Sequence, residues 1–486
     1  MVRKEFSKSR AMLGIRGEEC NKLGGNEMQR EPAMKRPLLG FVSVLALAAC
    51  SEPQQAEQAT ETETETTAQD EAGPATSEPT HRFSAETGRE DPATSIRLPD
   101  GFTATVFADE LGRTRHIAVR DDQTVYAGLR RAVDGKGTVA LRDSDGDGQA
   151  DETAYFGEIV GTGIAIHNGY LYRSSDTEIV RFRLEPGEMV PTAAPESIVT
   201  GFPEQRQHAT KPMTFDGDGN MYVTVGAPSN ACQERMRTPG SPGLEPCPQL
   251  ERQAGIWRFD ADTPGQVHGE DGKRYATGIR NGLSIDWHPA AGALYFASHG
   301  RDSLSDLFPE YFTEEQNAEL PAEEFHRAQE GSDHGWPYTY WDPIENARVI
   351  APEYGGDGEK TAEPGQYEAP EVAFPGHWAP NDLIFYTGNA FPEDFRNGAF
   401  IAWHGSWNRA PLPQDGYKVA FIPMNEAGEV TEDWFVFADK FKGQEPLASP
   451  GDAEYRPAGL AVGPDGALYI AEDQTGRIWK VTYQGS

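Results

Sequence analysis

From about residue 97 onward, short runs alternate apolar and polar positions, and the runs come in pairs. Ile117-Ala118-Val119 is followed by Asp121-Asp122-Gln123 and then Thr124-Val125-Tyr126-Ala127. The phrase returns as Ile164-Ala165-Ile166, His167-Asn168-Gly169, Tyr170-Leu171-Tyr172, and as Met213-Thr214-Phe215, Asp216-Gly217-Asp218-Gly219, Asn220-Met221-Tyr222-Val223. A fourth copy places a His288-Pro289 turn between Leu283-Ser284-Ile285 and Ala293–Ala297. A looser fifth runs Leu383–Tyr386, Arg396-Asn397-Gly398, Ala399–Ala402, and a sixth runs Leu460-Ala461-Val462, Pro464-Asp465-Gly466, Ala467–Ala471. A period of two, broken by Asp/Asn-Gly turns, predicts a hairpin at each copy. One hairpin cannot bury both its faces, but six arranged around an axis can. The expected fold is therefore all-β, a six-bladed β-propeller over residues 96–486, with long loops inserted after the third and fourth copies. The last strand, Arg477–Val481, is expected to complete a blade together with residues from the start of the domain.

Ahead of this domain the pattern changes. Met34-Lys35-Arg36-Pro37 precedes an apolar run, Leu38–Ala49, which is too short for a mature membrane span and has the form of a secretory leader. Leu47-Ala48-Ala49-Cys50 resembles the lipobox of bacterial lipoproteins, which implies cleavage before Cys50 and acylation of its thiol. Ser51 follows, with no Asp there to imply inner-membrane retention. Residues 1–49 are read as leader, with Met34 as the translational start. Residues 50–95, rich in Glu, Thr, Gln and Pro, cannot bury enough apolar surface to offset their ordering entropy and are read as a lipid-anchored linker. The expected location is the periplasmic side of the bacterial envelope, on the outer membrane, with the lipid as the only membrane contact.

The formal net charge of −34 argues against a nucleic-acid partner, because phosphate binding needs a basic face. Cys232 and Cys247 bracket a Pro/Gly-rich loop, and in an oxidising compartment they are expected to pair; two free thiols are the alternative. Asp143-Ser144-Asp145-Gly146-Asp147 has the oxygen spacing of a calcium loop, but position twelve is Ala154 rather than Glu. A looser calcium turn and a plain hairpin turn both remain open there.

Chemistry-bearing residues recur at the strand mouths. His208 lies just before the third inner strand, and imidazole is the usual general base near neutral pH. Arg280-Asn281 opens the fourth copy, where such a pair can hold carboxylates or quinone oxygens. Ser298-His299-Gly300-Arg301-Asp302 ends it, with carbonyls suited to a hard cation. Gly335-Trp336-Pro337, His404–Arg409 and Tyr455-Arg456-Pro457 complete the set.

In their order along residues 96–483, these phrases resemble the soluble pyrroloquinoline quinone-dependent glucose/sorbosone dehydrogenase family. Pro228–Cys232 and His404–Arg409 look like the sorbosone branch. The resemblance implies an oxidoreductase that oxidises an aldose or sorbosone-like sugar by hydride transfer to the quinone. It implies His208 as the base at the sugar C1 hydroxyl, Arg280 at the quinone oxygen, and Asn281, Arg409 and Arg456 as cofactor contacts. The Gly300 and Arg301 carbonyls would be ligands of a calcium ion. Two positions depart from the glucose branch: Val225-Gly226-Ala227 supplies no carboxylate to orient His208, and Glu454 stands where a second Arg is expected. A separate cytochrome or quinone is the expected electron acceptor, since the sequence has no Cys-x-x-Cys-His. The competing readings are a metal-dependent lactonase on the same fold and a non-enzymatic cell-surface binding propeller.

Overall fold

The computed structural model describes residues 81–485; the leader and Cys50 lie outside the described residues. Each of the six phrases forms the inner hairpin of a sheet with four antiparallel strands, to which a short parallel fifth strand adds at the outer edge of blades 2 and 3. Blade 1 contains Thr114–Val119, Val125–Val133, Lys136–Arg142 and Glu152–Phe156; blade 2 contains Ile164–His167, Tyr170–Ser174, Ile179–Arg183 and Glu196–Thr200. Blade 3 begins at Met213–Phe215, blade 4 at Ser284–His288, blade 5 at Pro380–Phe385 and blade 6 at Pro457–Val462. The hairpin register follows the alternation, with Met213 opposite Val223 and Ile285 opposite Phe296. The third turn shows the local cause: the Asp216 carboxylate accepts from the Asp218 and Asn220 amides at 2.8 and 2.9 Å, while Gly219 takes φ +85°, a conformation open to glycine at little cost.

The ring closes as the alternation predicts. Ile478–Tyr483, the last strand, pairs antiparallel with Phe102–Ala108, the first strand of the domain, in blade 6. Closure of this kind ties together residues nearly 400 positions apart and removes an exposed sheet edge. The described residues begin ahead of residue 96, however. Residues 81–95, which composition assigns to the linker, pack onto the propeller: His81 stacks on Phe435 at 4.3 Å, Phe83 meets Phe395 at 5.0 Å, and Arg89–Asp91 pairs with Ile96–Leu98. Two aromatic rings reaching a ready-made apolar surface outweigh a polar composition.

The inner strands of all six blades line an axial channel of about 360 Å³, with His116, Ile166, Thr214, Asp286, Asp382 and Leu460 among its walls. The two carboxylates join neighbouring blades. Asp286 accepts from Thr214 Oγ1 at 3.0 Å and from the Phe385 amide at 2.9 Å; Asp382 accepts from the Leu460 amide at 2.8 Å. Burial raises both above the usual carboxylate range, Asp286 to about 6. Blades 1 and 2 are tied by Arg173, which is fully buried.

Candidate active site

The loop from Gly201 to Pro212 leads into the inner strand of blade 3 and carries His208 at φ +51°. A non-glycine residue in this left-handed region costs about 1–3 kcal/mol and persists only where its surroundings hold it. Here Gln205 Nε2 donates to the His208 and Gly226 carbonyls at 2.9 and 3.0 Å. A Cβ on Gly226 would lie 2.5 Å from His208 Cβ, so the glycine of Val225-Gly226-Ala227 makes room for the imidazole. The next residue orients it: His208 Nδ1 lies 2.7 Å from the Ala227 carbonyl. A carbonyl can only accept, so Nδ1 carries the proton and Nε2 presents its lone pair. The orienting group that the sequence lacks as a carboxylate is thus a backbone oxygen. Burial, then the Arg280 charge and His299, push the His208 pKa down to about 3, so the imidazole is neutral near pH 7.

Arg280 is 5 % exposed, and each of its three guanidinium nitrogens donates. Nη1 donates to the Gly300 carbonyl at 2.7 Å; Nη2 donates to Asn230 Oδ1 at 3.0 Å and to Asp302 Oδ2 at 2.8 Å. Asp302 also accepts from Arg237 at 2.8 Å. Burial alone would raise Asp302, but the charges of Arg280, His377 and Arg237 outweigh it and hold the carboxyl below its usual range. Asn281 sits beside His299, with Nδ2 3.3 Å from the imidazole Nδ1, and the Asn281 carbonyl lies 3.1 Å from that same nitrogen. The Arg301 side chain turns away to pair with buried Glu353. Cys232 and Cys247 form the expected disulfide, and Asn230, just before it, is the residue that braces Arg280.

A second basic cluster adjoins the first. His299 lies within electrostatic reach of Arg280, Asp302 and His404, and His404 bonds Asp473 at 2.8 Å. Asp473 also pairs with Arg115 at 2.9 Å, the charges of Arg130 and Arg456 fall within its range, and Arg113 donates to its backbone carbonyl at 3.3 Å. Arg456 donates to the His404 and Gly405 carbonyls at 3.0 and 2.6 Å. Four guanidinium groups therefore gather near Asp473, whose carboxylate is bonded by Arg115. Arg115 Nε is buried with no partner, and Arg130 makes no ion pair among the described residues. Of the residues picked out from the sequence, His208, Arg280, Asn281 and Arg456 fall in these two adjoining clusters. Arg409 does not: it donates to the Gly376 and Ala318 carbonyls at 2.9 and 3.3 Å and braces a loop. Arg113, Arg115 and Arg130 escaped the sequence reading. The signal for the first two was present, because Arg113-Thr114-Arg115 opens an inner strand just as Tyr455-Arg456-Pro457 does.

Among the described residues, no group of three or more metal-ligating side chains gathers at the channel. Asp286 and Asp382 accept from backbone amides, which disfavours the lactonase reading. Among the described residues, Asp143, Asp145 and Asp151 are the one carboxylate group close enough to share an ion. They lie largely exposed in the turn between two blade 1 strands, where Asp143 accepts from the Gly146 and Gly148 amides at 2.7 and 2.9 Å.

Comparison with known proteins agrees with this architecture. The PQQ domain of pyranose dehydrogenase from Coprinopsis cinerea superposes with a TM-score of 0.63 at 20 % identity, over 83 % of this chain and 98 % of that one. A family AA12 enzyme of Trichoderma reesei gives 0.64 at 17 % identity, over 80 % and 97 %. The apo aldose sugar dehydrogenase of Escherichia coli gives 0.51 at 18 %, over 79 % and 99 %. At these identities the likeness shows the fold. In sequence, the chain is 30 % identical to the pyrroloquinoline quinone-dependent pyranose dehydrogenase of Coprinopsis cinerea over 168 residues, 30 % of this chain and 22 % of that protein. An uncharacterized protein of Borreliella burgdorferi is 28 % identical over 211 residues, 43 % of this chain and 48 % of its own length. The matched segments thus span less than half of these relatives. Residues 34–51 match the prokaryotic membrane lipoprotein lipid attachment site, as the lipobox reading expects. Residues 96–484, the whole propeller, match the TrAA12-like family profile, and the chain belongs to that family.

Proposed function

We propose that this chain is a lipid-anchored, pyrroloquinoline quinone-dependent sugar dehydrogenase in which His208 is the general base. The observation that carries the reading is the pinned tautomer of His208, a neutral imidazole whose free Nε2 sits beside a buried arginine. The relatives named for pyranose and aldose sugars support the substrate class, an aldose in its ring form; the sorbosone preference implied by the sequence is a narrower case of it.

The residues present fit the quinone cofactor. Four guanidinium groups around one Asp473, with Arg115 Nε unpartnered, leave an excess of positive charge suited to a planar tricarboxylate. Arg456, Arg115, Arg113 and Arg130 would hold its carboxylates, while Asn281 and Arg280 would meet its ring from the other side. When bound, the quinone supplies a two-electron acceptor for hydride. The protein's part is to place the sugar C1 hydroxyl against His208 Nε2, which takes the proton as C1 loses its hydride, so that the sugar becomes a lactone. Ala227 holds the imidazole in register, and the Arg280 charge favours the developing oxyanion.

Calcium fits less well. Gly300 and Arg301 do offer adjacent carbonyls, but the Gly300 oxygen already accepts from Arg280. The neighbouring Asp302 is held by two guanidinium groups, so a cation there would face positive charge. No step is routed through it. Electrons are expected to leave to a separate periplasmic cytochrome or quinone.

The test is reconstitution of the purified protein with the quinone, with and without calcium, followed by dye reduction over a panel of aldoses and sorbosone. Quinone-dependent turnover is expected; absence of quinone binding would return the chain to the binding-propeller reading. The pH profile gives a second prediction. A base with its folded pKa lowered to about 3 stays unprotonated as pH falls through 6.5, so kcat/KM should show no acid limb near that value. Loss of activity with an apparent pKa of ~6.5 would mean that a differently placed histidine is the base.

A further inference from the structure

Four large apolar residues are conspicuously exposed among the described residues, and two of them, Met236 at 53 % and Trp407 at 54 %, belong to the same mouth. Single exposed apolar residues need no explanation; two that are tied to one site do. Met236 sits at the tip of the Cys232–Cys247 loop, where its sulfur accepts from Gln207 Nε2 at 3.4 Å, and Gln207 immediately precedes His208. Arg237, the next residue of that tip, lies over the Trp407 ring at 6.0 Å. The same Arg237 bonds Asp302 at 2.8 Å, and Asp302 bonds Arg280. Trp407 is therefore linked to Arg280 through one cation–π contact, with Arg237 over its ring, and two ionic contacts, and more than half of its surface is open. The segment behind it is anchored as well: Asn408 is buried, and its Oδ1 accepts from the Ser303 amide at 3.3 Å.

We infer that Trp407 is a substrate-stacking residue: it offers its indole face to the apolar C–H face of a pyranose ring, and the disulfide-closed loop with Met236 forms the facing wall. The inference rests on the sugar-oxidising reading above and names the part of the substrate that this wall selects. An aromatic ring is large, rigid and amphipathic, so it holds such a ring at low entropic cost. A cyclic sugar presents a flat apolar face, whereas an open-chain polyol does not, so the wall favours pyranoses.

The test compares Trp407→Ala and Trp407→Phe with the wild-type full-length protein. Quinone binding is read from absorbance, and D-glucose and D-sorbitol binding from saturation-transfer NMR on the quinone-loaded protein, with KM and kcat wherever turnover is seen. Expected for Trp407→Ala is unchanged quinone affinity, a loss of glucose binding of roughly tenfold, the size of one truncated aromatic anchor, and an effect on KM rather than kcat. Trp407→Phe should recover most of the loss, and weak sorbitol binding should be indifferent to either change. Equal glucose affinity in wild type and Trp407→Ala overturns the inference, as does a variant that loses the quinone together with the sugar. Failure of the wild type to bind the quinone overturns the dehydrogenase reading instead, and is seen in the first measurement alone.

Discussion

Replacing His208 by glutamine should reduce kcat by roughly a thousandfold while leaving quinone affinity unchanged, because removing a positioned general base forfeits its whole contribution to the barrier. Glutamine can still donate to the Ala227 carbonyl now bonded by His208 Nδ1 at 2.7 Å, but it has no basic lone pair. The loop should therefore stay in place while the chemistry stops. Dye reduction at saturating sugar reads the loss, and quinone titration by absorbance reads the control. A variant retaining more than about a tenth of wild-type kcat would remove His208 from the role of base, since even modest base catalysis exceeds that factor.

The second large effect concerns stability. Arg173→Met should destabilise the propeller by about 3–5 kcal/mol, the cost of leaving buried polar groups without their partner. Arg173 is fully buried, and burial lowers it to about 9, which still leaves it charged at pH 7. It donates to Thr138 Oγ1 at 2.9 Å and to the Gly163, Gly137 and Gly161 carbonyls at 2.5, 3.0 and 3.2 Å. Thr138 and Gly137 belong to blade 1, Gly161 and Gly163 to the connection into blade 2, and Arg173 itself to blade 2. Methionine fills a similar volume but strands these acceptors in a dry interior. The urea midpoint reads the effect. An unchanged midpoint would mean that water replaces the guanidinium, or that this blade junction contributes little to the global transition.

The parts legible in the sequence are those with local causes. Hairpins announce themselves because side-chain alternation and turn chemistry act over ten residues or fewer; Asp216 and Gly219 make the third turn from within it. The Cys232–Cys247 pair was legible from a fifteen-residue spacing and a compartment. His208, Arg280, Asn281 and Arg456 were legible by type and position at strand mouths. Arg409 shared that type and position, but its guanidinium went to nearby carbonyls, and a carbonyl is the same at every residue. The orienter of His208 was hidden for the same reason, since Ala227 acts through its backbone.

By itself, then, the sequence determined the lipid-attachment motif ending at Cys50, the six hairpins, the closure of the ring by its last strand, and the presence of a histidine and of arginines at the mouths. Only the tertiary structure decided which of them meet. Arg115 and Asp473, 358 residues apart, pair because ring closure brings blade 6 against blade 1. His81 and Phe83 leave the predicted linker because blade 5 offers them aromatic surface. Alternation and turn signals are short-range, whereas the charge balance, the tautomer and the burial that make a site depend on distances between blades, which no local pattern encodes.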